Sequence, residues 1–504
     1  MEKNTRRSGL SIMKSLIVLI KPLTGIMLLG ILLGVLRFLC AIFLTVAGGY
    51  CIIYGIYKFI HGGFSVGYDA SGVLMTALIV FAVAGAVFHY GEQYCNHYIA
   101  FRILAIIRHK VFAALRKLCP AKLENKEKGN LITVITCDIE LLEVFFAHTV
   151  SPIAIAFITS FIMVVFMWYQ HPLAAVFSIF AYISVGVILP IWNRRRTADS
   201  GRNYRNNMGE LDNFIINSTY GIDEILQYNQ GSARLDEMDE RLQNLYYTQE
   251  DLSVFEGSQK AVTNLVIHFF SWGMFFFMLI LYMNKISDFL QLILATLAMI
   301  SSFGPTAALS SLSNNLSQTL ASGERVLSLL EEEPTVEEVS DKEATSFEGA
   351  DVDNVNFSYG EENILENVSL DIKKGKVLGI HGVSGSGKST LLKLLMRFWD
   401  VNTGEVHISG KNIKNVNTEN LREITGYVTQ ETVMFQGTIA DNIRVAKQNA
   451  TLEEIQNAAK KASIHDFISG LPNGYGTNVG ELGDSLSDGE KQRIGLARAF
   501  LHDG

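Results

Sequence analysis

The chain has 504 residues, 49% of them hydrophobic and only 18% charged, with a formal net charge of −8. That length allows two or three domains, and the acidic balance argues against nucleic acid as the main partner. The charged fraction falls below the roughly 25% of ordinary soluble domains, which excludes a simple soluble enzyme.

The first 22 residues do not read as a cleaved leader. Lys14 and Lys21-Pro22 interrupt the apolar run, and no small-x-small cleavage site follows. An amphipathic helix lying on the inner membrane surface is expected instead. Six apolar stretches come next, at 23–50, 73–90, 144–169, 172–192, 262–283 and 289–312. Each approaches or exceeds the ~20 residues that cross a bilayer.

Lysine and arginine set the orientation. Arg6, Arg7, Lys14 and Lys21 precede the first span; Arg102, Arg108, Lys110, Arg116, Lys117, Lys122, Lys126 and Lys128 follow the second; Arg194, Arg195, Arg196, Arg202 and Arg205 follow the fourth. The alternate loops carry only Lys58 and Lys285. The N-terminus, both long loops and the C-terminal region are therefore expected in the cytoplasm of a multi-pass plasma-membrane protein. Spans two to five should run on as long helical rods, because 99–118 and 201–249 are polar yet helically periodic. Interruptions at 120–129 and around Tyr220-Gly221 mark turns at the far ends of these rods, placed to touch another domain. Five cysteines show no metal-type spacing, and none lies in an outside loop, so disulfides are not expected.

Two charged positions sit oddly. Arg37 lies mid-span, where a charge faces either a polar cavity, suggesting an anionic substrate, or another helix. His97 stands where the second span meets the cytoplasm, with Glu92 five residues earlier; it reads either as an iron ligand or as an interfacial polar residue.

An acidic stretch at 331–346 has no apolar period and reads as a linker. It divides a transmembrane domain at 1–330 from a nucleotide domain at 347–504. In the latter, Val352–Phe357 and Val368–Ile372 alternate as strands. Val377–Ile380 reads as another short strand, followed by Gly382-Val-Ser-Gly-Ser-Gly-Lys-Ser-Thr390 and a helical pattern. Gly382, Gly387, Lys388 and Ser389 fill the fixed positions of a phosphate-binding loop. Successive backbone N–H groups can converge on phosphate oxygens only where no Cβ crowds them, hence Gly382, Gly385 and Gly387; Ser384, Ser386 and Thr390 complete the cradle. Lys388 can reach the β- and γ-phosphates, and Ser389 can hold Mg²⁺.

The rest of this domain resembles the ATP-binding cassette of ABC transporters along its whole length. The resemblance implies that Tyr359 stacks on adenine and that Gln430 senses Mg²⁺ and the attacking water. Phe435–Ile443 and Val479-Gly-Glu481 resemble segments of exporter cassettes. Leu486-Ser487-Asp488-Gly489-Glu490 is similar to the family signature, which in that family closes over the ATP of the opposite cassette. Asp488 and Glu490 stand where glycine and glutamine are commonest. The expected protein is thus an α-helical six-span bundle followed by an α/β phosphate-loop cassette. It is an exporter half that uses ATP and Mg²⁺, and pairs with a second half-transporter in the lipid bilayer to move a small, anionic or thiol molecule. The alternatives are a regulatory, non-hydrolysing half, or a lipid, drug or peptide exporter. The family's Mg²⁺-binding aspartate and catalytic glutamate would follow Gly504, so a chain cut short, and inactive by itself, is expected.

A narrower resemblance covers Tyr90–Leu104, with the neighbouring Leu118–Leu123 and Gly129–Ile132, which together are similar to the C subunit of the cysteine and glutathione exporter of cytochrome bd assembly. It implies that His97 is a haem ligand. Arginines of that family are His89 and Gln93 here, and a serine is Asn96.

Overall fold

The computed structural model describes residues 7–19, 21–60, 70–124, 128–360, 362–480, 483 and 485–502. The chain forms two compact units, Met1–Ala114 with Lys128–Glu331, and Leu115–Glu127 with Glu332–Gly504.

The first unit is helical: α1 (Gly9–Leu19), α2 (Thr24–Ile60), α3 (Ala70–Leu118, continuing into the second unit), α4 (Ala121–Glu124, in the second unit), α5 (Lys128–Thr133), α6 (Ile139–Phe145), α7 (Ser151–Gln170), α8 (Pro172–Ile183), α9 (Leu189–Tyr220), α10 (Ile222–Gln227), α11 (Gly231–Met283), α12 (Phe289–Ser302) and α13 (Gly304–Glu331). Among the described residues, six helices are long and apolar enough to span a membrane. Their ends are written locally. His171, extended at φ −163, caps α8 by accepting the Leu173 N–H on Nδ1 at 3.2 Å, and Pro172 occupies the first turn where its missing donor costs nothing. Asp288 and Gln291 form a capping box at the start of α12.

Small and flexible side chains dominate the unit's main core: Met163, Met167, Ala174, Ala181, Met274, Met278, Ala295, Ala298 and Met299. In lipid, close backbone approach and dispersion hold helices together, and alanine permits that approach. The N-terminal helix packs one face on α13. Ile12 and Leu16 are buried, and a Cβ on Gly323 of α13 would lie 3.0 Å from Leu16 Cδ1. Arg7 pairs with Glu331 and lies 3.7 Å from Glu324. The apolar stripe of α1 is thus partly spent on α13, while Ile17 and Val18 remain exposed.

In the second unit, β1 (Gly349–Ser358), β2 (Asn363–Lys373), β3 (Thr403–Ile408) and β4 (Lys411–Asn412) form an antiparallel sheet in the order β2-β1-β3-β4. Val352 faces Leu370 on one side and Val406 on the other. Helix α14 (Lys388–Leu395) packs Leu391 and Leu394 into this sheet's core, with α15 (Thr418–Glu423) contributing Leu421. A separate helical cluster is built from α16 (Ile439–Arg444), α17 (Leu452–Lys461), α18 (His465–Gly470) and α19 (Asp488–His502), with a short ribbon of β5 (Gly437–Thr438) and β6 (Asn478–Val479). The linker has no regular structure, yet it is sewn to the sheet side: Val339 N–H donates to Thr418 Oγ1 at 2.9 Å and Thr345 N–H to Asn420 Oδ1 at 2.7 Å.

One expected strand is not formed. Residues 377–380 are irregular, and Val377, Leu378 and Ile380 are exposed. A strand exists only as a ladder member, and no described residue pairs with this segment.

Candidate nucleotide site

The phosphate loop is positioned between the sheet and α14. Gly385 and Gly387 adopt φ of +85° and +82°, the left-handed region that side chains disfavour. A Cβ on Gly387 would fall 2.6 Å from Leu365 Cδ2 and 3.1 Å from the Ile364 carbonyl, and one on Gly382 would meet Ser386 Oγ at 2.7 Å. Gly382 and Gly387 thus let the loop close on itself and on β2, an approach that side chains would block. Gly387 is also the residue before α14, so the loop ends at a helix N-terminus, which favours anions. Lys388 Nζ donates to the carbonyls of Gly382 (3.0 Å) and Val383 (2.7 Å), folding its ammonium back over the loop. The donor set fits a nucleoside triphosphate with Mg²⁺: Lys388 and the loop amides for phosphate, and the Ser389 hydroxyl for the metal. Mg²⁺, when bound, withdraws charge from the β- and γ-phosphates.

Tyr359 is half-buried at the end of β1. Its ring meets Phe357 (4.8 Å, 88°) and Trp399 (5.1 Å, 84°) edge-on. Its hydroxyl lies 3.4 Å from Thr390 Oγ1, tying the aromatic cluster to the loop helix. Gln430 is exposed, and its carbonyl accepts a 3.4 Å bond from Gln492 on α19.

The signature lies in the helical cluster, where Leu486 is buried and Ser487 precedes α19. The Ser487 N–H donates to Glu490 Oε2 at 2.8 Å. Glu490 therefore closes half of a capping box and places its charge at a helix N-terminus, where a carboxylate is favoured. Asp488 is fully exposed, 3.7 Å from Lys491 Nζ. Its charge points to solvent. Glu481 of the sequence reading lies outside the described residues.

Sequence reasoning passed over two organisers of this region. Asn442, 1% exposed, pairs with both the N–H and the carbonyl of Phe435 at 2.8 Å. Arg498 donates to the Asn442 carbonyl (2.7 Å) and to the Val433 carbonyl (2.9 Å). Together they hold the 433–442 segment against α19. A further arginine, Arg422, stacks over Phe398 at 4.7 Å, and burial, then the like charge of Arg397, push it below the usual guanidinium value.

Arg37 and His97 behave differently from one another. Arg37 Nη1 donates to Glu92 Oε2 at 2.9 Å, with His89 Nδ1 3.7 Å from the same oxygen. The mid-span charge is therefore answered by a neighbouring helix rather than kept for an anion. Glu92 is buried and committed to Arg37, not to His97. His97 is exposed and stacks on Phe101 at 6.4 Å. Among the described residues, no cluster of metal-ligating side chains includes His97.

Residues 365–504 match the ABC transporter family, and residues 23–306 match the ABC transporter transmembrane region. The chain belongs to the ABC transporter family. It is 48% identical over 499 residues to a probable ABC transporter ATP-binding/permease protein of Haemophilus influenzae, covering 99% of this chain and 89% of that one. A putative multidrug export ATP-binding/permease protein of Bacillus subtilis is 28% identical over 508 residues, covering 98% and 85%. An ATP-dependent lipid A-core flippase of Desulfotalea psychrophila matches 41% of this chain and 36% of its own length at 42% identity. In fold, the chain is similar to a bacterial Atm1-family ABC exporter with ATP bound (TM-score 0.79, 24% identity, covering 96% and 84%). As an ABC transporter it is an ATP-hydrolysing, multi-pass membrane protein with six candidate spans ahead of its cassette.

Proposed function

We propose that this chain is one half of an ATP-driven exporter of the cell membrane, paired with a second half through shared nucleotide sites, with its N-terminus and cassette in the cytoplasm. One observation carries the reading. The phosphate loop rests on the sheet core and the signature on the separate helical cluster, so each is available to a second cassette. Lys388, Ser389 and Gln430 of one half would then act with Ser487 and Gly489 of the other. Phosphoryl transfer needs positioning and charge neutralisation more than covalent help. The lysine and arginine distribution supports the orientation. The exposed apolar tip at Tyr220, Ile222, Leu226 and Tyr228 supports docking of another subunit.

A thiol or anionic solute has weak support. It rests on the resemblance of Tyr90–Leu104 and its neighbouring stretches, and the charge that suggested an anion is paired with Glu92. The test mixes chains carrying Lys388→Ala with chains carrying Ser487→Arg. Neither should trap ATP alone, and the mixture should regain trapping because one shared site is intact. No gain on mixing would overturn the shared site.

A further inference from the structure

We infer that the cavity bordered by α7, α8, α9 and α13 holds the acyl chain of a membrane lipid, and that the transported molecule is held there by such a chain. The inference rests on the exporter reading and names the substrate class for it. The cavity measures 580 Å³, within the range of small-molecule sites. Ile153, Phe157, Phe161, Ile183, Val187 and Ile191 form much of its wall. No Asp, Glu, Lys, Arg or His is among its described lining residues.

Two of its hydroxyls, those of Tyr182 and Thr306, are turned to protein partners. Tyr182 Oη lies 2.6 Å from Ser302 Oγ, and Thr306 Oγ1 donates to the Phe303 carbonyl at 2.9 Å. A thiol peptide or an anion entering here would shed its water and meet no charged partner among the described lining residues, whereas a hydrocarbon chain sheds none.

Two π-helical turns border the cavity, Phe146–Val150 with Thr149, and Ser184–Ile188 with Gly186 and Val187. Single π-turns in α-helices recur at functional sites because the extra residue swells one face. Gly186 keeps the space open. A Cβ there would make only ordinary contact with Thr306 and Leu309, at 3.6 and 3.7 Å, so a larger side chain would grow into the void.

The occupant follows from depth and from the open side. The wall residues of α7 and α8 lie within the candidate spans Ser151–Gln170 and Pro172–Trp192. The rim residues Phe157, Phe161, Val187 and Ile191 are exposed. At that depth, the medium meeting an open apolar rim is lipid hydrocarbon.

The test uses the full chain in nanodiscs of phosphatidylethanolamine and phosphatidylglycerol, with a phosphatidylcholine carrying a mid-chain diazirine as probe. After irradiation, labelled peptides are mapped by mass spectrometry. Labelling around Ser160, Ile183 and Gly186 should exceed, several-fold, that on the exposed α11 face at Leu265, Phe269 and Trp272. Gly186→Leu, or Val187→Trp from the same turn, should remove the excess and leave α11 labelling unchanged. Even labelling across the surface, or an excess that survives both variants, would overturn the inference. So would displacement by an uncharged aromatic compound but not by unlabelled lipid, or a disulfide joining two Phe157→Cys chains, which would assign the cavity to a second copy. Azido-ATP labelling in the same samples reads the exporter assignment separately. Nucleotide labelling with even lipid labelling removes only the acyl-chain site, and the reverse pattern removes the exporter reading and with it the assignment of the bound chain to a transported molecule.

Discussion

Arg325 donates through Nε to Asp138 Oδ2 at 2.6 Å and through Nη2 to Oδ1, while Ser322, one turn earlier on α13, donates to Oδ1 at 2.9 Å. Asp138 is 1% exposed and closes the π-helical turn Val134–Asp138. A buried carboxylate is tolerable only with its charge answered and its lone pairs filled. This contact fixes α13 to the segment that leads into α7.

Arg325→Ala should therefore destabilise the first unit by about 2 kcal/mol, less than loss of a fully buried pair because the arginine is half exposed. Asp138→Asn, which keeps two acceptor contacts without the charge, should cost less. Thermal unfolding followed in detergent orders the two variants. Equal losses, or none, would remove the charge pair as the reason for the join.

Lys388→Ala should abolish azido-ATP photolabelling while membrane insertion is retained. The ammonium is the cation folded over the loop mouth, bonded to Gly382 and Val383 carbonyls. Labelling equal to that of the unaltered chain would sink the assignment of this loop as the phosphate site.

The loop glycines separate strain from collision. Gly385→Ala meets open space, so it bears only the left-handed penalty of roughly 1–2 kcal/mol. Gly387→Ala bears the same penalty and also drives a Cβ to 2.6 Å from Leu365 and 3.1 Å from a backbone carbonyl. Gly387→Ala should thus lose more cassette stability than Gly385→Ala, as read by urea unfolding followed through Trp399 fluorescence. The opposite order would mean that the loop shifts to relieve the contact.

How much of this was legible in the chain depends on the range of the interaction. The long helices were readable because their apolar period and length are local, and so was the loop, because its glycines answer to its own backbone. Gly387's contact with Leu365 was not readable, since it joins residues twenty-two apart. For Arg37 the sequence offered another helix as one answer to the charge but could not name Glu92, because that partner sits fifty-five residues away. Val377–Ile380 carries strand propensity, but propensity does not make a ladder without a neighbour. Asn442 and Arg498 could have been noticed only as polar residues inside apolar periods, a signal that exposed residues share.

Glu490 should behave as a cap and not as an acid. Its carboxylate accepts the Ser487 N–H, so Glu490→Gln should keep signature geometry and stability, whereas Glu490→Ala should cost about 1 kcal/mol, the usual loss for a removed cap. Asp488→Gly, at a fully exposed side chain, should leave stability nearly unchanged. Hydrogen exchange of the first turn of α19 checks this. Equal protection in Glu490→Ala and Glu490→Gln would remove the cap.

The acid limb of cassette stability should be visible at Glu454. Its carboxylate is pulled from the ordinary 4.5 to about 2, first by the Lys447 ammonium (2.6 Å) and then by the Thr451 N–H (2.7 Å) that opens α17. A folded-state pKa below the unfolded one means stabilisation that is complete above about pH 4.5 and is lost as pH falls toward 2. Amide protection at Leu452–Ile455, corrected for intrinsic exchange, should thus hold from neutral pH to about 4.5 and decline below it. Glu454→Gln should flatten that decline, since glutamine has no proton to gain, while lowering protection at neutral pH. A decline of unchanged steepness in Glu454→Gln would place the acid-sensitive group elsewhere in the cassette.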